Sequence, residues 1–396
     1  MGAELIMEYR KINEFCEINI GKTPSRNNSN YWGTGSSWLS IADINKKYIH
    51  DTKEEITNKA IQDCNMKKVL KNTVVMSFKL SIGKIAILKK DMYTNEAIAN
   101  FPIKDERKIT SEYLYYALRT INFTNTDRAV MGATLNKAKL NELEIPYCSI
   151  EIQNKIVKVL NKAQRLINER KEQIESLDNL VKSKFIEMFG DPLKNTKGWN
   201  KGKIEDIIVK AQYGTSNKAN EKSGKYKIIR MCNITYNGQL DFSDMKYIDL
   251  PEKEKKKYLV YKGEVLFNRT NSKELVGKTA VFKENEPMSY AGYLIKIIPN
   301  EKANGEFISA YMNTKYIKEK LFNMAKNIVG MANINAEELK KIDIYIPPIE
   351  LQNQFADFVK ETDKLKFEME KSLKELENNF NSLMQGAFNG KLFNEK

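Results

Sequence analysis

The chain repeats itself at long range: residues 133–189 align without a gap on residues 332–388, an offset of 199 residues. Fourteen of the 57 aligned positions are identical, among them Asn136/Asn335, Leu140/Leu339, Ile145/Ile344, Ile150/Ile349, Glu151/Glu350, Gln153/Gln352, Asn154/Asn353, Leu166/Leu365, Leu177/Leu376 and Phe189/Phe388. Apolar positions stay in register throughout. Solenoid repeats have periods of about 20–50 residues, so a period this long is a duplicated half-molecule. A protein of two similar halves can read two similar things at a fixed distance.

The repeated segment is mostly helix. From residue 150 to 189 no Pro or Gly occurs, and Gly190-Asp191-Pro192 ends the run. Ile152, Ile156, Val159, Ala163 and Leu166 lie on the three-four alternation of a helix–helix seam, which resumes through Ile167, Arg170, Ile174, Leu177, Val181, Phe185 and Met188. The second copy places Phe355, Phe358, Thr362, Leu365, Met369, Leu373 and Leu376 on the same alternation, with Gly386 and Gly390 near its end. Forty residues make a rod of roughly 60 Å. Two such stripes bury each other most simply as an antiparallel coiled coil, while the alternative packs each helix on its own globular half. The seam expected to pair is Ile156, Val159, Leu166, Ile174 and Leu177 with Phe355, Phe358, Leu365, Leu373 and Leu376. Each helix follows a proline-containing lead-in, Ile145-Pro146-Tyr147 and Ile346-Pro347-Pro348, which delays its start. The first lead-in has Cys148-Ser149 where the second has Pro347-Pro348, leaving its helix start less rigidly specified.

The remaining segments are mixed α+β. Val74–Phe78, Ile85–Leu88, Val265–Phe267 and Leu294–Ile298 read as strands, Ser111–Arg119 and Glu306–Phe322 as helices. Each half is expected to hold a small, twisted, mainly antiparallel sheet. Domains are expected at 1–145, 146–190, 191–345 and 346–396: a globular half and a long helix, twice.

Net charge is +14 over 396 residues. It divides as +5 over 1–145, +3 over 146–200, +8 over 201–348 and −2 over 349–396, so the basic excess lies mainly in the two globular segments. Such an excess favours a polyanion, DNA or RNA, or simply a lysine-rich solvated surface. The four cysteines are scattered without a CxxC pair, which excludes a zinc cluster or disulfide framework and suits a reducing cytoplasm. No membrane-length apolar run and no signal peptide is evident; Met1–Ile6 lack a basic flank.

Catalytic patterns are missing. Gly21-Lys22-Thr23 and Gly277-Lys278-Thr279 would need a glycine five residues earlier to be phosphate loops, where Cys16 and Ser272 stand. His50 is the single histidine, leaving no room for a histidine-rich metal site and little for a Ser-His-Asp triad. No dinucleotide fingerprint follows a strand, and neither Asn-Pro-Pro-Tyr nor Asp-Pro-Pro-Tyr occurs. Polar clusters recur instead: Lys22, Thr23, Ser25, Arg26 and Asn27 near the start of the first half; Thr215, Ser216 and Lys218 in the second; then Arg269, Thr270, Asn271 and Ser272. With Lys79, Ser81, Arg230 and Asn233 they form the expected DNA-contact set. Lys and Arg reach phosphates or guanine, Asn pairs with adenine, and hydroxyls reach either. Ordinary turn chemistry is the other reading of each cluster.

These residues resemble the specificity subunit of type I restriction–modification systems over nearly the whole chain. The lead-ins Ile145–Gln153 and Ile346–Gln352 carry the resemblance most specifically. Gly21–Ser25, Trp38–Ile44, Asn95–Ala99, Arg230–Ile234 and Phe267–Ser272 followed by Gly277-Lys278 add to it. The resemblance implies two target recognition domains reading the halves of a split DNA site, with the paired helices as a spacer that sets the nonspecific gap. It implies a chain without catalysis or cofactor. Two methyltransferase subunits holding S-adenosylmethionine would dock on it, and restriction subunits using ATP and magnesium would join them. DNA affinity would fall steeply with salt. The competing class is a non-catalytic coiled-coil adaptor with two protein-binding heads. An autonomous nuclease or methyltransferase is disfavoured by the missing motifs.

Overall fold

The computed structural model describes residues 7–79, 81–121, 135–328 and 331–392. Met1–Ile6, and Ala133 and Thr134 at the head of the repeat, lie outside the described residues. The chain divides into two compact units: residues 1–169 with 373–396, and residues 170–372. Each contains one globular half and a piece of both long helices.

In the first unit a two-stranded clasp closes the globular half, Glu8–Lys11 running antiparallel to Glu144–Tyr147. Between the clasp strands lies a five-stranded sheet in the order Asn19–Ile20, Ile98–Phe101, Val74–Ser77, Ile85–Leu88, Tyr48–Ile49. A three-stranded sheet follows the order Glu54–Ile56, Trp32–Leu39, Tyr93–Thr94. Pairing is antiparallel except between Tyr48–Ile49 and Ile85–Leu88 and between Trp32–Leu39 and Tyr93–Thr94. Val74–Ser77 and Ile85–Leu88 are buried on both faces, which is why they read as unbroken apolar runs. One face, with Val74, Met76 and Ile87, packs on Tyr113, Leu114 and Leu118 of the helix Ser111–Arg119. The other, with Val75, Ala86 and Leu88, meets Leu39, Ile44 and Ile49.

The second unit repeats the plan. Asn200–Lys203 clasps Asp343–Ile346. One four-stranded sheet runs Ile208–Tyr213, Leu294–Pro299, Val265–Asn268, Thr279–Val281; another runs Lys246–Ile248, Tyr226–Ile229, Met288–Tyr290, Leu259–Val260. A three-stranded sheet of Thr270–Asn271, Met331–Asn333 and Lys326–Ile328 is added. The helix expected over Glu306–Phe322 is two helices, Gly305–Met312 and Lys315–Met324. Thr314 divides them: its hydroxyl oxygen accepts the Ile317 N–H as an N-cap, so the chain restarts there.

The long helices span Ile150–Phe189 and Ile349–Phe388, equivalent residues of the repeat. Despite the missing Pro-Pro pair, the first starts where the second does, because a buried glutamine fixes each start. Gln153 Nε2 donates to the carbonyls of Lys108 (2.8 Å) and Cys148 (2.9 Å), and its Oε1 accepts the Thr110 N–H (3.3 Å). Gln352 Nε2 donates to Lys302 (3.0 Å) and Pro347 (2.8 Å), and its Oε1 accepts the Asn304 N–H (2.9 Å). Thr110 and Asn304 are the N-caps of Ser111–Arg119 and Gly305–Met312, so each glutamine ties a long helix to the main helix of its globular half.

The helices face one another and their globular halves at once. In the first unit Ile156, Leu160 and Ile167 share a core with Phe380, Met384 and Ala387. In the second, Phe355 lies 5.5 Å from both Phe185 and Phe189, centroid to centroid, and Lys366 Nζ donates to Asp178 Oδ1 at 2.6 Å. Pairing 178 with 366 and 185 with 355 makes the helices antiparallel there. Of the expected seam, Ile156, Leu177 and Phe355 are buried, while Val159, Ile174, Phe358, Leu373 and Leu376 are half-buried. Leu166 and Leu365 are corrections: they stand 40% and 48% exposed, and Ile167 and Lys366 turn inward in their place. A straight helix drifts about 20° per heptad from a 3.5 repeat, and packing on the globular half pulls the buried face one residue onward.

The Lys366–Asp178 side chains are 17% and 19% exposed. Lys366→Met alone strands a partly buried carboxylate and is expected to cost about 1–3 kcal/mol. Adding Asp178→Leu is expected to restore most of that loss. A double-mutant cycle by urea denaturation measures both. If the single change is silent, the pair does not hold the helices.

Candidate nucleic-acid interface

The candidate contact loops hang on one backbone scaffold, built twice. Gly21 N–H donates to Ile98 O (3.1 Å) and Lys22 N–H to Thr94 O (2.8 Å); Gly214 N–H donates to Leu294 O (3.2 Å) and Thr215 N–H to Tyr290 O (2.9 Å). A Cβ on Gly21 would lie 2.2 Å from Thr94 O, and one on Gly214 2.3 Å from Ala291 O. Only glycine permits this approach. Next, Ser40 N–H donates to Asp43 Oδ2 and Arg230 N–H to Asn233 Oδ1, both at 2.9 Å. Finally Gly83 N–H returns to Ser77 O (2.9 Å) and Gly277 N–H to Asn268 O (2.8 Å). The closing pairs Ser77–Gly83 and Asn268–Gly277 therefore occupy matching places and enclose different numbers of residues.

In the first unit two indoles brace the first loop. Trp32 Nε1 donates to Ser25 O (3.1 Å), Trp38 Nε1 to Lys22 O (3.0 Å), and the rings meet edge-on at 5.0 Å. Arg26 lies over Trp32 at 3.7 Å and bonds Glu54, Nη2 to Oε2, at 2.9 Å. That guanidinium holds the Glu54 carboxyl below its ordinary range. Lys22 Nζ donates to Cys64 O (2.7 Å) and Thr23 Oγ1 accepts Asn95 Nδ2 (3.2 Å). Ser25, Arg26 and Asn27 are exposed. On the matching second loop Ser81 is exposed and Lys79 half-buried.

In the second unit Ser216, Lys218 and Ser272 are exposed and Asn271 half-buried. Arg269 stacks on Tyr213 at 4.8 Å and its Nη2 donates to Asn333 Oδ1 at 3.1 Å; its Nε is buried without a partner. Arg230 Nη2 donates to Asp244 O and Oδ2, both at 2.8 Å. Three expected contacts are corrected by burial. Asn233, 3% exposed, gives both amide hydrogens to the carbonyls of Asp241 and Asp244 and its oxygen to Arg230 N–H. Buried Thr215 accepts Asn217 N–H, and buried Thr270 accepts Asn333 Nδ2. Asn233 and Thr215 complete turns, the other reading of polar loop residues, and Thr270 bonds its cross-strand partner. The braces Trp32, Trp38 and Tyr213 were absent from the expected set; an aromatic beside each glycine loop was the available signal.

Lys278 of the second Gly-Lys-Thr is buried. Its Nζ donates to Met231 O at 3.0 Å and also to Ile234 O, and burial lowers its pKa. It staples a loop and does not face a phosphate. His50 is exposed, and the four cysteines are free. Among the described residues no group of three or more His, Cys, Asp or Glu side chains could hold a metal, and no helix is long and apolar enough to cross a membrane.

Residues 6–176 and 196–378 match the family described as type I restriction modification DNA specificity domain. The MjaIX specificity subunit of Methanocaldococcus jannaschii is 26% identical over 89% of this chain and 85% of its own length. The EcoKI specificity subunit of Escherichia coli is 22% identical over 73% and 67%. The fold is similar to that of the type I restriction–modification S subunit from M. genitalium, with TM-score 0.53, 16% identity, and 98% and 97% of the two chains covered. A chain from a type I system solved for its assembly and conformational transition gives TM-score 0.59 at 16% identity, covering 98% and 100%. Two matches of one family to two copies of one scaffold make this chain a member of the type I restriction–modification DNA specificity family, a non-catalytic specificity subunit.

Proposed function

We propose that residues 1–145 and 191–345 are two target recognition domains, each reading one half of a split double-stranded DNA site. Residues 146–190 and 346–396 would be the spacer that holds a fixed nonspecific gap. The carrying observation is one loop scaffold built twice with different side chains on it: Lys22, Thr23, Ser25, Arg26, Asn27, Lys79 and Ser81 in one copy, Ser216, Lys218, Arg230, Arg269, Asn271 and Ser272 in the other. A common scaffold supplies a common approach to the duplex; differing side chains supply different readings.

The chemistry belongs to other subunits in this reading. Two methyltransferase subunits carrying S-adenosylmethionine would methylate adenine. Restriction and translocase subunits would use ATP and magnesium, and the complex would work in the cytoplasm. Exchanging residues 8–145 for those of a relative tests it. Single-molecule methylation mapping is expected to show one half of the motif changed, with the other half and the gap retained. Change in both halves, or in neither, defeats the modular reading; an adaptor with protein-binding heads would change neither.

A further inference from the structure

The duplication supplies an internal comparison at the helix on which each globular core is built. Ser111–Arg119 and Gly305–Met312 superpose in role residue by residue. Thr110 and Asn304 are their N-caps, and Glu112 and Glu306 lie in their first turns. Their last carbonyls are closed alike: Thr120 Oγ1 donates to Ala117 O at 2.7 Å, and Thr314 Oγ1 to Tyr311 O at 2.8 Å. In this register Tyr115, Tyr116 and Arg119 of the first unit stand opposite Ser309, Ala310 and Asn313 of the second.

The first unit fills its space. Tyr116 is fully buried with its hydroxyl on Asn161 Oδ1 at 2.7 Å, and Arg119 lies 5.5 Å over the Phe380 ring. In the second unit the three smaller residues line an open cleft of about 890 Å³. That volume falls in the range of small-molecule sites, about 300–1,000 Å³. Its accessible apolar wall includes Val181, Ile186, Ala310 and Phe322, with Phe185, Phe355 and Val359 buried behind it.

The polar groups are asymmetric. Of the five carboxylates lining the cleft, Asp178 pairs with Lys366 at 2.6 Å, Asp363 and Glu306 with Lys283 at 2.6 and 3.0 Å, and Glu319 with Lys315 at 3.9 Å, while Glu274 also lies on the wall. Lys182 and Lys318 also line the cleft, and among the described residues neither has a carboxylate within ion-pair distance. Lys318 Nζ sits 3.7 Å over the Tyr236 ring and donates to Tyr236 O at 2.6 Å. Burial, then Lys182 and Lys278, pull its pKa down to about 8. An anion here would relieve that repulsion.

We propose that this cleft binds a small planar aromatic anion, its ring against the accessible apolar wall at Val181, Ile186 and Ala310 in the space that tyrosines fill in the other copy, its acidic group between Lys182 and Lys318. The cleft is lined by residues of the second unit alone.

Fluorescence titration of the full chain with anilinonaphthalene sulfonate, and with its neutral analogue phenylnaphthylamine, tests the assignment. The sulfonate is expected to bind saturably at one equivalent and the neutral analogue to bind roughly tenfold more weakly. Ala310→Tyr, which rebuilds the first unit's filling, and Lys318→Glu are each expected to weaken the sulfonate by about tenfold or more. Lys318→Glu is expected to leave the neutral analogue unchanged. Circular dichroism melting checks folding, and the rim variant Lys182→Glu replaces Ala310→Tyr should that chain not fold. Equal affinity for both probes, or sulfonate binding within about twofold of wild type in both variants, overturns the proposal. So does the lack of saturable binding, the result expected if the cleft instead receives a side chain of a partner protein.

Discussion

Gln352→Ala is expected to lower the unfolding free energy by about 3–5 kcal/mol, far more than its modest side chain suggests. The change removes three hydrogen bonds and strands the carbonyls of Lys302 and Pro347 and the N–H of Asn304 around a fully buried site. Each stranded buried group costs roughly 1–3 kcal/mol, most at the Pro347 carbonyl, whose bond is fully buried. Gln153→Ala is expected to follow, slightly milder, since its bond from Thr110 N–H is longer at 3.3 Å. Gln352→Glu is the sharper control. It is nearly isosteric but sets a carboxylate against two carbonyl oxygens, so at neutral pH it is expected to be no better than alanine. The buried acid would have its pKa raised, so protonation favours the folded state and stability should recover as pH falls. Urea denaturation at two pH values measures all of this. A loss below about 1 kcal/mol for Gln352→Ala would show that the helix start is fixed by the prolines alone.

Phe355→Ala is expected to be of similar size, about 3–5 kcal/mol. The ring is fully buried and sits 5.5 Å from both Phe185 and Phe189. Those two rings contact Phe307 at 5.8 and 4.9 Å, so the cluster joins both long helices to the core of the second unit. Truncation removes apolar burial, opens a cavity among three remaining rings and deletes edge-on ring contacts. Leu365→Ala, ten residues along the same helix and 48% exposed, is expected to change stability by less than about 0.5 kcal/mol. Thermal unfolding of the two variants side by side decides the matter. Equal losses would place Leu365 in the seam after all, against its exposure.

Much of this architecture is local enough to read from residues in order. The C-terminal end of Ile150–Phe189 follows from Gly190 and Pro192, and its length from a long unbroken apolar stripe. Val74–Ser77 and Ile85–Leu88 announce themselves as short β-branched runs. The features that escape are those created by partners far away in the chain. Glu8–Lys11 has four exposed residues and no strand alternation; it is a strand because residues 144–147 lie beside it. The inward turn of Lys366 depends on a globular half covering the helix from the side. Asn233 and Arg230 look alike as polar loop residues, yet one is sealed inside a turn and the other half-open. A polar side chain in a loop has the same composition whether it faces outward or caps a backbone. Only its neighbours distinguish the two.

The two-stranded clasps carry a consequence for how such genes can change. Each globular half leaves its clasp on one strand and returns on the adjacent one, Glu8–Lys11 beside Glu144–Tyr147 and Asn200–Lys203 beside Asp343–Ile346. Neighbouring strands are about 4.8 Å apart, so the backbone enters and leaves each globular half at one place. An interior of different length and sequence can be inserted there without moving either junction. Crossing-over at two short stretches of coding sequence then trades a complete interior between lineages while the helical frame is inherited intact. Under the reading proposed above, specificity in such a lineage would change by exchange of whole cassettes.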